Sequence, residues 1–189
     1  MTRLLFIRHG ATAGNLQRRY IGRTDQPLCP EGIAQAKALA ALSLAPDRVF
    51  CSPLLRTRQT AQLAFPGLEP EIVPGFTETD FGPWEGKTAD ELADCAAYRD
   101  WVDGFCQGPI PGGEDPAAFK ARCRQTFLEI VPRLPADGCA AFVVHGGVIM
   151  AILEAFARPR GSFYDFHLSN GGHLAGYWQP PDAILLDRP

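Results

Sequence analysis

Three short apolar runs in this chain stop in the same abrupt way, and that shared ending limits the fold more than any other feature. Leu4-Leu5-Phe6-Ile7 runs into Arg8-His9-Gly10. Arg48-Val49-Phe50-Cys51 runs into Ser52-Pro53, and Ala140-Ala141-Phe142-Val143-Val144 into His145-Gly146-Gly147. Runs of this length and composition read as strands buried on both faces. Helical patterns lie between and after them. Pro30-Glu31-Gly32 opens a helix that carries Ile33, Ala36, Leu39 and Leu42 toward a core, with proline in its first turn. Ser52-Pro53 reads as an N-cap and first-turn pair for a helix over Leu54–Leu63. Asp115-Pro116 starts another, whose Phe119, Cys123, Phe127, Ile130, Val131 and Leu134 share one face. His145-Gly146-Gly147 leads into an apolar helix, Val148–Phe156. The turn signal Ser169-Asn170-Gly171-Gly172 precedes a last short strand over Leu174–Trp178. The alternation predicts an α/β fold, a mostly parallel central sheet with helices on both faces in three layers.

A chain of 189 residues, 46% of them hydrophobic, is one domain with a core of its own. We read residues 1–189 as that domain, with about 86–118 as a small lid or insertion. A formal net charge of -3 provides no general basic surface for nucleic acid or membrane, so an anion has to be drawn by a local pocket. The apolar run after Arg3 is too short for a secretory or membrane segment, which predicts a cytoplasmic protein. The 6 cysteines are scattered, without zinc-site spacing, and read as reduced thiols.

In parallel sheets of this kind, ligands sit beyond the carboxyl ends of the strands. Taken alone, Arg8-His9 is equally a solvated strand end. Taken together, three strands bring Arg8, His9, Arg56 (one turn into its helix) and His145 to one sheet edge. Glycines there allow close backbone approach, and helix N-termini add partial positive charge. That combination is an anion pocket of phosphoryl size. Two arginines suit a phosphate dianion. A neutral histidine with one nitrogen fixed can attack phosphorus, while a second holds the transition-state oxygens. The leaving alcohol then needs a proton from a carboxylic acid. FTETDFGPWEGKT offers Glu78, Asp80 and Glu85, and Glu78 follows a possible short strand at Glu71-Ile72-Val73 that ends at the same edge.

Four blocks, R-H-G-x-T-x-x-N (Arg8 to Asn15), S-P-L-x-R-x-x-Q-T-A (Ser52 to Ala61), E-x-x-F-G-x-W-E-G (Glu78 to Gly86) and H-G-G (His145 to Gly147), resemble the histidine phosphatase superfamily in its phosphoglycerate-mutase-like branch. The resemblance spans nearly the whole chain. It implies His9 as a nucleophile that becomes phosphohistidine, with Arg8, Arg56 and His145 as the phosphate pocket. It implies Glu78 as proton donor and then base for water. Asn15 and the backbone of Gly146 would line the pocket, and Arg23 would border the substrate. It implies no metal and no other cofactor, only a small-molecule phosphomonoester as partner.

The same machinery runs a phosphatase or a mutase. Mutase relatives look longer and carry Arg-His-Tyr after the catalytic Glu, whereas here Glu78 precedes Thr79-Asp80-Phe81-Gly82, which favours hydrolysis. Tyr98, Trp101, Phe105 and PGGEDPAAF are candidates for a lid, and Y-x-x-W followed by P-G-G-E-D is similar to phosphatases acting on α-ribazole 5′-phosphate in cobalamin assembly. Broad-specificity and non-catalytic phosphate-binding members remain alternatives. Gly82–Thr88 (GPWEGKT) is one residue short of a Walker A loop and places Glu85 where phosphates would sit, which argues against a P-loop. His167 and His173 have no partner motif and read as structural, and Asn170-Gly171-Gly172 as a turn.

Overall fold

The computed structural model describes residues 1–42 and 44–187. Its strands are β1 (Arg3–Arg8), β2 (Arg48–Cys51), β3 (Glu71–Ile72), β4 (Cys139–Val144), β5 (Ala157–Arg158), β6 (His173–Gln179) and β7 (Ala183–Leu186). They form one seven-stranded sheet in the order β3-β2-β4-β1-β6-β7-β5. Strands β3, β2, β4 and β1 pair in parallel, as do β7 and β5, while β6 runs antiparallel to both its neighbours. A mostly parallel sheet follows because helices connect the central strands; the reversed β6 reaches β7 by a short turn, as antiparallel partners can.

Alternation along the strands divides the core. Leu4, Phe6, Phe50, Ala140, Phe142 and Val144 face α5 (Pro116–Ile130) and α6 (Gly146–Phe156). Leu5, Ile7, Val49, Cys51, Ala141 and Val143 face the opposite side, which α2 (Pro30–Ala41) and α3 (Leu55–Ala64) cover. Both faces being covered is why these strands read as continuous apolar runs. The aromatic rings of Phe6, Phe142 and Phe50 stack across three neighbouring strands at 5.5 and 5.3 Å. The expected inward face of α5 is buried as its pattern predicts, and the chain continues into a 3₁₀ turn at Val131–Arg133.

Two helix expectations need correction. In α2 the buried residues are Gly32, Ala36 and Leu39, whereas Ile33 and Leu42 are exposed. The first turn of α2 meets the loop after β1 backbone to backbone: a Cβ on Gly32 would overlap the Ala11 carbonyl, and one on Gly10 the Gly32 carbonyl. That contact turns the Gly32 face inward, and Leu42 lies beyond the last turn. In α3 the N-cap is Leu54, not Ser52. Asp25, from the loop before α2, accepts from the Leu55 N–H at 2.7 Å and takes over that end of the helix.

The loop after β1 holds a one-turn helix, α1 (Ala13–Leu16), closed by a Thr12–Asn15 capping box. Between residues 86 and 118 lies α4 (Ala96–Asp103). Trp84, Leu92, Tyr98, Trp101 and Ile110 form a separate apolar cluster there, packed on Tyr20 and Phe81. Phe105 stays exposed. Among the described residues no helix is long and apolar enough to cross a membrane.

Candidate active site

In the sheet β2, β4 and β1 are adjacent, so the residues after them converge. His9 follows β1, and its N–H donates to the Val144 carbonyl at 3.0 Å. Ser52 follows β2 and His145 follows β4, where it is the N-cap of α6 without a side-chain cap bond. The Gly10 N–H donates to Thr60 Oγ1 on α3, which fixes the turn after His9.

The two histidine rings meet edge to face with centroids 5.2 Å apart. His9 Nδ1 donates to the Gly10 carbonyl at 2.7 Å, which leaves Nε2 with its lone pair. His145 Nε2 lies 2.8 Å from Ser52 Oγ. That oxygen also accepts from the Leu54 N–H at 3.3 Å. Ser52 therefore orients a ring rather than opening a helix. Arg56 is buried, donating from Nη1 to the Thr24 carbonyl at 2.9 Å and from Nη2 to the Gly22 carbonyl at 2.7 Å. Arg8 Nη1 donates to the Leu168 carbonyl at 2.6 Å and contacts His167 Nε2 at 3.2 Å.

Three buried nitrogens at this point have no partner among the described residues: Arg8 Nε, Arg56 Nε and His145 Nδ1. The two guanidinium nitrogens are donors, and buried polar groups are normally satisfied. Burial, and then the charges of Arg56 and Arg8, hold His9 well below the ordinary histidine value of 6.5, against the opposing pull of the Gly10 carbonyl. Burial also depresses His145, with Arg56, His9 and Arg8 adding to the effect. Both rings are thus neutral at pH 7. Burial lowers the two guanidinium groups as well, with Glu78 countering it.

Glu78 arrives on the stretch after β3. Arg122 of α5 steadies that stretch, donating to the Gly75 and Thr77 carbonyls and pairing with Glu114. Glu78 Oε2 accepts from the Gly147 N–H at 3.0 Å, at the start of α6, and Oε1 from the Thr79 N–H at 2.9 Å. The other two carboxylates are used elsewhere. Asp80 accepts from the Gly82 N–H. Glu85 accepts from the N–H groups of Gly22, Arg23 and Phe81 and from the Thr24 hydroxyl.

A cavity of about 550 Å³ opens over this group, lined by Arg8, Asn15, Glu78 and Gly146 on the polar side. Tyr20, Phe81, Trp101, Phe119, Met150 and Phe163 supply much of its apolar wall. His9, Arg56 and His145 are buried beneath it and are not among its lining residues. Arg23, expected to border the substrate, is not among the residues that line the cavity. Glu85 binds its backbone, and its side chain turns outward to within 3.5 Å of Glu114. His167 was read from the sequence as structural. It lines the cavity and touches Arg8, while His173 starts β6 at the surface. The turn at residues 169–172 also braces the site, since the Asn170 side chain and the Gly171 N–H both donate to the His9 carbonyl. No local motif announces these contacts. Among the described residues no cluster of three or more His, Cys, Asp or Glu could hold a metal ion.

Comparison with known proteins agrees with this geometry. The family profile of the histidine phosphatase superfamily (branch 1) matches residues 4–177. The adenosylcobalamin/alpha-ribazole phosphatase of Salmonella typhimurium is 34% identical over 179 residues, covering 89% of this chain and 87% of the relative. A protein of Enterobacter sp. named probable phosphoglycerate mutase GpmB is 32% identical over 152 residues, covering 77% and 70%. The crystal structure of the alpha-ribazole phosphatase from Shigella flexneri superposes with a TM-score of 0.86 at 28% identity, covering 98% of this chain and 94% of that one.

Proposed function

The chain belongs to the histidine phosphatase superfamily, and from that premise we propose that it hydrolyses a small-molecule phosphomonoester through a phosphohistidine at His9. The observation that carries the reading is the pairing of a buried neutral His9, its Nδ1 pinned and its Nε2 lone pair available, with three unpartnered buried nitrogens around it. With the Ser52 proton given to His145 Nε2, His145 Nδ1 is a donor like the two guanidinium Nε groups. Arg8 Nε, Arg56 Nε and His145 Nδ1 would take the three non-bridging oxygens of a phosphoryl group, whose charge spreads over those oxygens in the transition state. His9 Nε2 attacks phosphorus, the ester P–O bond breaks, and Glu78 gives its proton to the leaving alkoxide. Water, deprotonated by Glu78, then attacks the phosphohistidine, and the P–N bond returns its electron pair to Nε2.

Hydrolysis is favoured over mutase chemistry by the charges in the cavity. A bisphosphate needs a second free cation beyond the first pocket. Lys120 is held 2.8 Å from Glu154, and Arg19 is engaged by Glu91 and the Gly86 carbonyl. The flat walls offered by Tyr20, Phe81 and Trp101 suit a substrate with a large neutral body bearing one phosphate. Together with the names of the relatives, this makes α-ribazole 5′-phosphate the most specific substrate we propose. Residues 86–118 would act as the lid that sets this preference. The test is phosphate release, with a chelator present, from α-ribazole 5′-phosphate, 3-phosphoglycerate, p-nitrophenyl phosphate and sugar phosphates. We expect release that His9→Ala abolishes and that is fastest on α-ribazole 5′-phosphate. An absolute requirement for added metal, or transfer to phosphoglycerate faster than to water, would overturn the reading.

A further inference from the structure

Arg8 has five N–H hydrogens and no acceptor, so its 3.2 Å contact with His167 has one possible sense: Nη1 donates and Nε2 accepts. His167 is therefore the neutral tautomer with its proton on Nδ1. The second Nη1 hydrogen goes to the Leu168 carbonyl at 2.6 Å. With Nη1 fully used, the Nε–Nη2 edge remains, and this is the edge that forks onto a phosphate or carboxylate. Nε is buried without a partner and passes within 3.4 Å of where a Cβ on Gly146 would stand, at the first residue of α6. The segment bearing His167 is tied down as well. The Gly171 N–H reaches the Arg8 and His9 carbonyls, both at 3.1 Å, and the Asn170 amide reaches the Asn15 side chain.

We propose that His167 is a positioning residue of the phosphate clamp, which as a neutral acceptor sets the rotation of the Arg8 guanidinium so that its Nε–Nη2 edge faces the phosphoryl group. The proposal rests on the phosphatase reading above. It also implies a pH dependence, because a proton on Nε2 would replace the acceptor by a second donor and set a cation against Arg8. Burial, and then the charge of Arg8 of β1, which acts on it directly, keeps the His167 ring neutral to a lower pH than a free histidine. Lys120 of α5 shares the cavity but is paired with Glu154 of α6. Glu78 is engaged by the Gly147 N–H, and Asp165, on the same segment, accepts from the Ser162 N–H. Tyr164 is a neutral hydroxyl whose ionisation is pushed up to about 12.

The experiment compares wild type, His167→Ala and His167→Gln, all full length. Gln offers an amide oxygen in place of Nε2 and does not titrate. Steady-state hydrolysis gives KM and kcat from pH 4.5 to 8, and calorimetry gives the affinity for inorganic phosphate over the same range. We expect His167→Ala to weaken phosphate binding and raise KM about tenfold at pH 7, the loss of one charge-assisted hydrogen bond, with a smaller change in kcat. His167→Gln should recover to within about threefold of wild type on the same scale and lack the wild-type loss of affinity at acid pH. Unchanged phosphate affinity in His167→Ala, or a Gln variant as weak as the Ala variant, would overturn the proposal. Failure of all three proteins to release phosphate would overturn the phosphatase reading instead, and the binding series would still decide the role of His167.

Discussion

A histidine that attacks phosphorus needs a lone pair at neutral pH, and two features of His9 keep one there. The Gly10 carbonyl takes the Nδ1 hydrogen, and burial beside Arg56 and Arg8 disfavours the imidazolium. NMR titration should therefore find His9 and His145 uncharged throughout pH 8 to 6.5, with protonation appearing only below the ordinary histidine value; a midpoint at or above 6.5 for either ring would contradict the electrostatics of the site. Glu78 depends on one neighbour in the same way. A Cβ on Gly147 would fall on its carboxylate, whose Oε2 accepts from the Gly147 N–H. Gly147→Ala should push Glu78 out of reach of the leaving group while the arginines and His9 stay in place. The expected result is kcat lowered about a hundredfold or more, the size of a general-acid contribution, with phosphate affinity nearly unchanged. The loss should be smaller for p-nitrophenyl phosphate, whose phenolate leaves without a proton. Equal losses for alkyl and aryl esters would show that Glu78 is not what moved.

At the scale of elements, the site is braced by a loop that does not line the cavity. Glu85 collects the N–H groups of Gly22, Arg23 and Phe81, and the 22–24 loop it fixes presents the Gly22 and Thr24 carbonyls to Arg56. Glu85→Ala leaves those N–H groups without their acceptor and frees Arg56. We expect a destabilisation of about 2–4 kcal/mol, from several lost charge-assisted bonds, and a raised KM, both measurable by denaturant unfolding and steady-state kinetics. An unchanged KM would mean that the loop holds its shape without the carboxylate. This layer is also where the sequence was hardest to read. The strands, the α5 face and the convergence of Arg8, His9, Arg56 and His145 were legible, because periodicity and strand ends are local signals. Glu85 looked like a third acid candidate, Ser52 like a helix cap and His167 like a stray histidine. Each acts on a residue 60 or more positions away or across the sheet edge, and no spacing rule encodes such contacts. One-turn α1 and four-residue β7 were too short to show a period.

For the whole molecule, the buried histidines couple the site to the stability of the fold. His9 and His145 are buried neutral in the native state, whereas in the unfolded chain they titrate near 6.5. Between their depressed native values and 6.5 the unfolded chain binds more protons, so stability falls as pH falls through that window. Below the native values both states are protonated and the loss stops. Two such groups give a slope of up to about 2.7 kcal/mol per pH unit, a large share of the roughly 5–15 kcal/mol typical of a domain. The melting temperature should drop by about 5–10 °C per unit on acidification below 6.5, at 2–4 °C per kcal/mol for a domain of this size. His145→Gln removes one titrating group and should come close to halving that slope. Inorganic phosphate acts in the opposite sense, since it binds only the native pocket: at a thousandfold excess over its Kd it adds about 4.1 kcal/mol. Scanning calorimetry at pH 5.5 and 7, with and without phosphate, reads both effects at once. A melting temperature indifferent to pH over this range would mean that the two rings are not buried neutral, and with that the nucleophile proposed at His9 would lose its basis.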